Sequence, residues 1–234
     1  MQPRLAAALA MLLLATAAPP AQAADDPLEA VNRRVHGFNR EVQARVLGPV
    51  AEFYRTVTPP GIRQGIGNAL ANLREPITAA SALAAGDLGL ARDAALRFGV
   101  NSTLGWAGVR DRAAELGYAP RRAFTPADAL CAWGVPSGPF LVLPLLGPST
   151  LRDAGAMAAT GVALSQGLGP DVTVAWSAAD ALHGYAELQP ELDRIEAQSL
   201  DPYAVQRSAY LQRRAALCAV DRQQAEVEEH AAAE

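Results

Sequence analysis

The side chains able to act as nucleophiles or bases are few and scattered along the chain. Cys131 and His183 are one pairing that could supply a thiol and its base, although no local signature surrounds either residue. Ser137 and Ser149 are alternative nucleophiles for a hydrolase, but no G-x-S-x-G turn contains them. The sequence also lacks H-E-x-x-H, C-x-x-C and phosphate-loop motifs. Hydrolysis is therefore a hypothesis without a motif.

The histidines predict no metal centre. His36, His183 and His230 stand apart, without acidic or cysteine neighbours at ligand spacing. Surface or hydrogen-bonded histidines are the better interpretation of all three. The sequence accordingly predicts no metal, no cofactor and no enzyme.

A long apolar zone, residues 129–170, carries only one adjacent pair of charges, Arg152 and Asp153. Its first half, up to Leu151, is long enough to cross a bilayer as a helix of about 20 residues. Prolines interrupt that half and disfavour a helix, and apolar irregular backbone must be buried in protein or line a cavity. These prolines are Pro136, Pro139, Pro144 and Pro148.

Two interpretations of this zone stay open. It is either a core segment of a water-soluble protein or part of a body that sits in lipid without spanning it. Arg152 and Asp153 are correspondingly either an ion pair at a helix start or the polar lining of a lipid path, since charges in apolar surroundings need partners or water.

The N-terminal block, residues 1–23, has the features of a secretory signal. Arg4 supplies its positive start, residues 5–18 are apolar, and Ala21-Gln22-Ala23 is a small-x-small cleavage site. The two cysteines, Cys131 and Cys218, lie far from that site, so the sequence predicts an exported protein without a lipoprotein cysteine. In an oxidising compartment the two thiols could pair, or both could stay free.

The charge balance excludes a typical nucleic-acid-binding protein. The formal net charge is −4, and no dense basic patch with interleaved aromatic residues occurs. All 20 basic residues are arginine. Base composition of the genome explains the missing lysine better than function does, although arginine also suits bidentate contacts with phosphate.

The rest of the chain predicts an all-α protein. Residues 27–47 form an amphipathic helix that either lies at an anionic membrane surface or presents an ordinary solvated face. Its apolar positions are Leu28, Val31, Val35, Phe38, Val42, Val46 and Leu47, and its opposite face carries Arg33, Arg34, Arg40, Glu41 and Arg45.

Proline and glycine divide the remaining helices. Gly48-Pro49 breaks or kinks the first helix, Glu75-Pro76 turns the chain after a second, and Gly86-Asp87 starts another helix. Thr125 with Asp128 resembles a capping box, and residues 140–143 are the only run that could be extended. Ser149 then caps a helix to about residue 161. Further helices are expected at 172–199 and 202–219, followed by an acidic, disordered tail at 221–234.

Several ordered blocks resemble one family. Asp26-Pro27-Leu28-Glu29, with Asn32-Arg33 and Phe38-Asn39, is similar to the start of the MlaA/VacJ proteins. Further blocks follow in the family's order over residues 25–215. They are Asn72-Leu73-Arg74-Glu75-Pro76, Arg97-Phe98, Asn101-Ser102-Thr103-Leu104-Gly105, Gly134, Gly138-Pro139, Leu143-Pro144, Gly147, Ser149 to Asp153, Asp201-Pro202-Tyr203 and Arg207.

The resemblance implies a single helical domain, residues 24–220, that forms a ring-shaped body in the inner leaflet of the outer membrane. In that family a channel lets mislocalised phospholipids leave the outer leaflet and so preserves lipid asymmetry. The implied partners are phospholipid, a periplasmic lipid carrier that feeds an MCE-type ABC transporter, and a trimeric porin. The resemblance places an irregular apolar hairpin beside the channel, with candidates Pro139, Phe140, Leu141, Val142, Leu143, Pro144, Arg152 and Asp153.

Three functions therefore remain for comparison. The first is a phospholipid-translocating channel, expected at the outer membrane on its periplasmic side without a lipoprotein cysteine. The second is a soluble periplasmic lipid-binding or scaffold protein, and the third is the hydrolase considered above.

Overall fold

The computed structural model describes the backbone of residues 26–233 and the side chains of residues 26–219. The predicted signal peptide lies outside the described residues. A π-helical turn (Gln43–Leu47) separates the first two helices, and the only described strands are β1 (Phe140–Leu143) and β2 (Gly147–Thr150). The α-helices in chain order are α1 (Glu29–Val42), α2 (Gly48–Val57), α3 (Pro60–Ala85), α4 (Leu88–Thr103), α5 (Arg112–Glu115), α6 (Pro126–Ala132), α7 (Leu151–Leu168), α8 (Pro170–Gln198) and α9 (Pro202–Ala233).

The predicted helix boundaries after α3 and before α6 are confirmed. Gly86, at φ 89°, ends α3, and the carboxylate of Asp87 accepts a hydrogen bond from the N–H of Leu90 at the start of α4. Thr125 and Asp128 form the expected reciprocal capping box of α6. These caps satisfy backbone groups that a helix end otherwise leaves without partners.

The predicted turn at Glu75-Pro76 is wrong, because α3 continues through both residues. A proline inside a helix costs about 3 kcal/mol, so other contacts must hold the helix together. Glu75 is buried and pairs with Arg121 at 2.8 Å and with Arg97 at 3.5 Å. Tertiary ion pairs therefore override the local signal.

Four other boundaries take a form that the sequence did not predict. The interruption near Gly48-Pro49 takes the form of the π-helical turn before α2. The cap of α7 is Thr150, whose hydroxyl accepts from the N–H of Asp153, and Ser149 lies in β2. Helix α7 extends to Leu168, and α9 is helical through residues 221–233, where the sequence predicted a disordered tail. Alanine, glutamate and glutamine, which dominate that last stretch, are strong helix formers.

The apolar hairpin is regular and antiparallel. Its register pairs Phe140 with Thr150 and Leu143 with Gly147. The extended run at residues 140–143 is confirmed, whereas β2 was missed because Pro148 and Gly147 disfavour strands. Antiparallel pairing with β1 stabilises this strand, although its local sequence does not favour one.

The hydrophobic clusters are small. Phe140 and Val142 of β1 pack against Tyr203 of α9, and the Phe140 ring meets the Tyr203 and Tyr210 rings edge-on at 6.2 and 6.1 Å. A second cluster joins α3, α4 and α6 mainly through alanines. Among the helices of the described residues, none combines the length and apolarity needed to cross a membrane.

Candidate functional site

Two asparagines of α1 hold the hairpin through its backbone. The Asn32 amide donates to the carbonyl of Phe140 at 3.0 Å and accepts from the N–H of Val142 at 2.9 Å. Asn39 donates to the carbonyl of Leu143 at 2.9 Å and accepts from the N–H of Leu145 at 2.7 Å. Asn32 and Asn39 lie two helical turns apart, which is a rise of about 10.5 Å. The backbone groups that they bind lie three strand residues apart, which is about 10 Å. The two side-chain amides therefore bond to the hairpin backbone as a neighbouring strand would. We call this pair, Asn32 and Asn39, the asparagine latch.

The carboxylate of Asp26 connects the start of α1 to α9. It accepts hydrogen bonds from the Tyr203 hydroxyl and from the Asn32 amide, and it faces Arg207 at 3.8 Å. Burial alone would raise the pKa of Asp26, but the hydrogen bonds from Tyr203 and Asn32 lower it below 3.8. Burial and the same contact raise the pKa of Tyr203.

A charged cluster lies at the base of the hairpin. Arg152 is buried and donates to the carbonyl of Val135 and to Asp153, each at 3.0 Å. Tyr210 donates to Asp153 at 2.5 Å, and Arg214 of α9 contacts Asp153 at 2.8 Å. Burial acts to raise the pKa of Asp153, but Tyr210 and the arginines bring it below 3.8, while burial and Asp153 raise the pKa of Tyr210 to about 12.

A disulfide joins the two sides of this cluster. Cys131 of α6 and Cys218 of α9 are bonded, with 5.7 Å between their Cα atoms. Pairing was one of the two alternatives that the sequence left open. The bonded Cys131 has no thiolate, so the proposed cysteine nucleophile is wrong. His183 instead contacts the hydroxyl of Tyr54 at 3.1 Å.

The disulfide, Arg152 and Arg214 line a cavity of about 380 Å³ beside the hairpin base. Of the predicted hairpin candidates, Arg152 lines this cavity, whereas residues 139–144 do not. Phe140 and Val142 point into the protein, and Pro144 is exposed near the tip. A role for these residues in a lipid path stays a prediction.

The other motif residues build a second polar cluster around Arg97. Its guanidinium donates to both oxygens of Asp111, at 2.8 and 2.7 Å, and to the carbonyl of Ala119. Asn101 donates to Asp111 at 3.1 Å and accepts from the N–H of Ala113 at 2.8 Å. The cluster fixes the connection between α4 and α5.

Two further motif positions, Asn72 and Gly105, serve the same region. The Asn72 amide donates to the Ser102 hydroxyl at 2.9 Å. A Cβ on Gly105 would lie 2.2 Å from the carbonyl oxygen of Arg110, so only glycine fits there. Leu104 is exposed, Pro76 lies inside α3, and Pro27 precedes α1. The sequence blocks thus mark structural contacts more than reactive groups.

The distribution of polarity departs from that of a typical water-soluble protein, because many polar side chains are buried and many large apolar side chains are exposed. The largest fully buried side chains are all polar: Asn72, Asn101 and Thr150. Large apolar side chains lie outside instead, with Trp106 80% and Phe53 67% exposed, and they occur on most described helices. Single exposed apolar residues are ordinary, but such an extent marks contact with a membrane or another protein.

Helix α1 shows this arrangement most clearly. Asn32, His36 and Asn39 form its buried face, while Val31 and Phe38 are exposed. The sequence predicted an apolar and a basic face for this helix, and the asparagine–histidine stripe was missed. Its four-then-three spacing on one face was the available signal. Among the described residues, no group of three or more His, Cys, Asp or Glu side chains is placed to hold a metal.

Comparison with known proteins matches nearly the whole chain to one family. A family model described as "MlaA lipoprotein" matches residues 24–217. The intermembrane phospholipid transport system lipoprotein MlaA of Escherichia coli K12 is 33% identical over 197 residues, 82% of this chain and 78% of that protein. The protein of the same name from Haemophilus influenzae is 30% identical over 195 residues, 80% of this chain and 77% of its own length.

A solved structure shows the same fold. It was described under the words "Structural basis for maintenance of bacterial outer membrane lipid asymmetry". It has a TM-score of 0.74 and 30% identity, and it covers 83% of this chain and 99% of that chain.

These comparisons correct the localisation expected from the sequence, which was an outer-membrane protein on the periplasmic side without a lipoprotein cysteine. An outer-membrane association is consistent with the matching structure and relatives. The expectation of no lipoprotein cysteine is wrong, because the matching family and the relatives from E. coli and H. influenzae are named lipoproteins. It relied on the positions of Cys131 and Cys218 alone, and these cysteines report on the disulfide instead. The family match, the relatives and the shared fold together establish that the chain belongs to the MlaA family.

Proposed function

We propose that this protein is a non-enzymatic channel for phospholipids that works in intermembrane lipid transport and removes mislocalised phospholipids to maintain outer-membrane asymmetry. The observation that carries the proposal is the combination of buried polar side chains with large exposed apolar ones. Buried side chains such as Asn72 and Asn101 are polar, while Phe53 and Trp106 face outward. The names of the E. coli and H. influenzae relatives support the same substrate.

Apolar and polar groups are stabilised by different surroundings. Apolar surface left in water costs about 25 cal/mol per Å², and acyl chains remove that cost. Polar groups find no partners in acyl chains, so they turn inward and bond to one another, as Arg97 does with Asp111. A body with this arrangement is suited to lipid surroundings.

The hairpin supplies an element beside which a headgroup could pass. Its tip residues Leu145 and Leu146 are exposed, and its base lies against the cavity lined by Arg152 and Arg214. The proposal includes a periplasmic carrier that feeds an MCE-type ABC transporter, and a trimeric porin, as partners.

Membrane association is tested by flotation with phospholipid vesicles. The wild-type protein should float with the vesicles. Phe53→Glu should weaken flotation, because it places a charge on the exposed apolar face of α2. Thr56→Glu is the matched control, since it adds the same charge at an exposed polar position of the same helix. Wild-type protein that stays in the dense fraction would favour the soluble lipid-binding alternative.

Transport and hydrolysis are separated in a second experiment. Vesicles that contain the protein and a fluorescent phospholipid donate lipid to acceptor vesicles, and mass spectrometry follows any lysophospholipid. We expect transfer of intact lipid, and equal transfer by Ser137→Ala and Ser149→Ala. Accumulation of lysophospholipid that either serine variant abolishes would establish a hydrolase instead.

A further inference from the structure

The cavity of about 380 Å³ beside the hairpin base gives access to the Cys131–Cys218 disulfide. Both cysteines line it, one from α6 and the other from α9. Gly134, Pro136 and Ala215 also line the cavity, and all three are exposed, so the cavity opens at the protein surface. Its volume is within the range of small-ligand sites, about 300–1,000 Å³. A compact thiol can therefore reach the bond although both cysteines are buried.

An arginine donates to one of the two sulfur atoms. Nη2 of Arg152 lies 3.6 Å from Sγ of Cys218. The guanidinium is fixed in this direction, because its Nε donates to Asp153 and its Nη1 donates to the carbonyl of Val135. The Arg152 side chain is only 4% exposed, so solvent ions screen the contact little.

This contact stabilises the reduced form of Cys218 more than the oxidised form. A disulfide sulfur is neutral and accepts hydrogen bonds weakly. A thiolate beside the same guanidinium would accept a charge-assisted hydrogen bond, which is about twice as strong as a neutral one. Arg152 therefore favours Cys218 as the sulfur that leaves with the electron pair when the disulfide breaks.

Cys131 has less favourable surroundings for a thiolate. It lies in the last turn of α6, where the helix end carries a partial negative charge. It also shares a face of the helix with Asp128, which is three residues earlier. Asp128 is buried, and Arg214 offsets part of its charge. The two sulfur atoms are therefore unequal as leaving groups.

We propose that this cavity is a site of thiol–disulfide exchange, in which a small dithiol reduces the Cys131–Cys218 bond and so releases α9 from α6. A thiolate of the dithiol attacks Sγ of Cys131, the S–S bond breaks, and its electron pair goes to Sγ of Cys218 beside Arg152. The second thiol of the dithiol then loses its proton and attacks the dithiol sulfur of the mixed disulfide. Cys131 leaves with the electron pair and takes up that proton, so the protein gains two electrons and the dithiol becomes a disulfide.

The equilibrium of this reaction is measured on the folded protein in buffers with fixed ratios of reduced to oxidised dithiothreitol. Alkylation and mass spectrometry count the free thiols. We expect reduction without denaturant, and Arg152→Met should shift the equilibrium constant about tenfold toward the disulfide, the effect of losing one charge-assisted hydrogen bond. A tenfold change is about 30 mV for a two-electron couple.

Two further variants control for a loss of packing. Arg152→Lys keeps the positive charge and should restore most of the shift. Arg213→Met removes an exposed arginine of α9 that does not line the cavity, and it should leave the equilibrium constant unchanged. A disulfide that dithiothreitol reduces only after denaturation, or an equilibrium constant that Arg152→Met does not change, overturns the exchange site.

The direction of attack is tested on the wild-type protein with glutathione, a monothiol that stops at the mixed disulfide. After an acid quench, peptide mass spectrometry should find the glutathione adduct on Cys131 and a free thiol at Cys218. An adduct on Cys218, or equal adducts on both cysteines, overturns the role of Arg152 in stabilising the leaving sulfur.

Release of α9 is tested by hydrogen exchange. After reduction, Arg214 still contacts Asp128 and Asp153, so α9 stays attached through ion pairs alone at this point. We expect residues 211–218 to exchange faster in the reduced protein than in the oxidised protein, while exchange around Arg97 stays the same. Equal exchange of residues 211–218 in the two redox states overturns the release of α9.

Discussion

The side-chain amide of Asn39 donates a 2.9 Å hydrogen bond to the main-chain carbonyl of Leu143, which lies 104 residues further along the chain. The same side chain accepts from the N–H of Leu145. One asparagine on an N-terminal helix thus holds the turn of a hairpin from the middle of the sequence. Asn32 repeats the contact two turns earlier at Phe140 and Val142.

We expect Asn39→Ala to loosen the hairpin. The change leaves the carbonyl of Leu143 and the N–H of Leu145 without these partners, at a cost of about 1–3 kcal/mol in the free energy of unfolding. Denaturant unfolding measures that cost, and hydrogen exchange should show faster exchange at the Leu145 amide. Asn68→Ala removes one exposed bond, to Val109, and serves as the control. An unchanged exchange rate at Leu145 would show that the latch does not hold the hairpin.

Arg97→Met should be among the most destabilising single changes. Arg97 and Glu75 are each only 2% exposed, and Arg97 also holds Asp111. Removal of one partner from a buried ion-pair cluster costs about 3–5 kcal/mol, because Asp111 loses its bidentate partner and the buried Glu75 keeps only Arg121. Arg92→Met is the control, as its pair with Asp93 is on the surface and such pairs contribute about 0–1 kcal/mol. Equal urea midpoints for the two variants would contradict this ranking.

The stability of the protein should fall as the pH drops below the ordinary range of histidine. Burial lowers the pKa of His36 below 6.5 and outweighs the attraction of Glu196. The unfolded chain then binds a proton at a higher pH than the folded protein. The free energy of unfolding therefore decreases as the pH falls through 6.5 toward the folded pKa.

The His36→Gln variant separates this effect from other titrations. We expect its urea midpoint to vary less than that of the wild type between about pH 7.5 and 5. His183→Gln is the control, since His183 lies against Tyr54 in another part of the protein. A slope in His36→Gln as steep as in the wild type would assign the pH dependence to other groups.

Reduction of the Cys131–Cys218 disulfide should lower the free energy of unfolding by about 2–4 kcal/mol. The bond spans 87 residues and therefore restricts the unfolded chain strongly. The double variant Cys131→Ser, Cys218→Ser should match the reduced wild type in denaturant unfolding. Peptide mass spectrometry of the oxidised protein checks the pairing itself, and two free thiols there would contradict the bond.

Much of the helical framework followed from local patterns. The Gly86-Asp87 boundary, the Thr125–Asp128 capping box and the extended run at Phe140 depend on neighbouring residues alone, and all three were confirmed. The Pro76 signal failed, because the burial of Glu75 among arginines outweighs the local cost of a proline. Strand β2 was missed for a related reason, since a strand with Gly147 and Pro148 exists only through its partner.

The sequence by itself determined the helical class, the family and the composition of an apolar zone with one charged pair. Helical periodicity and ordered motifs are readable along a single chain because they depend on near neighbours. Only the tertiary structure decided that the asparagine–histidine stripe of α1 turns inward, that Asn32 and Asn39 bind a distant backbone, and that Cys131 pairs with Cys218. A helical pattern separates two faces without stating which one is solvated, and the contacts made by the rest of the fold settle that choice.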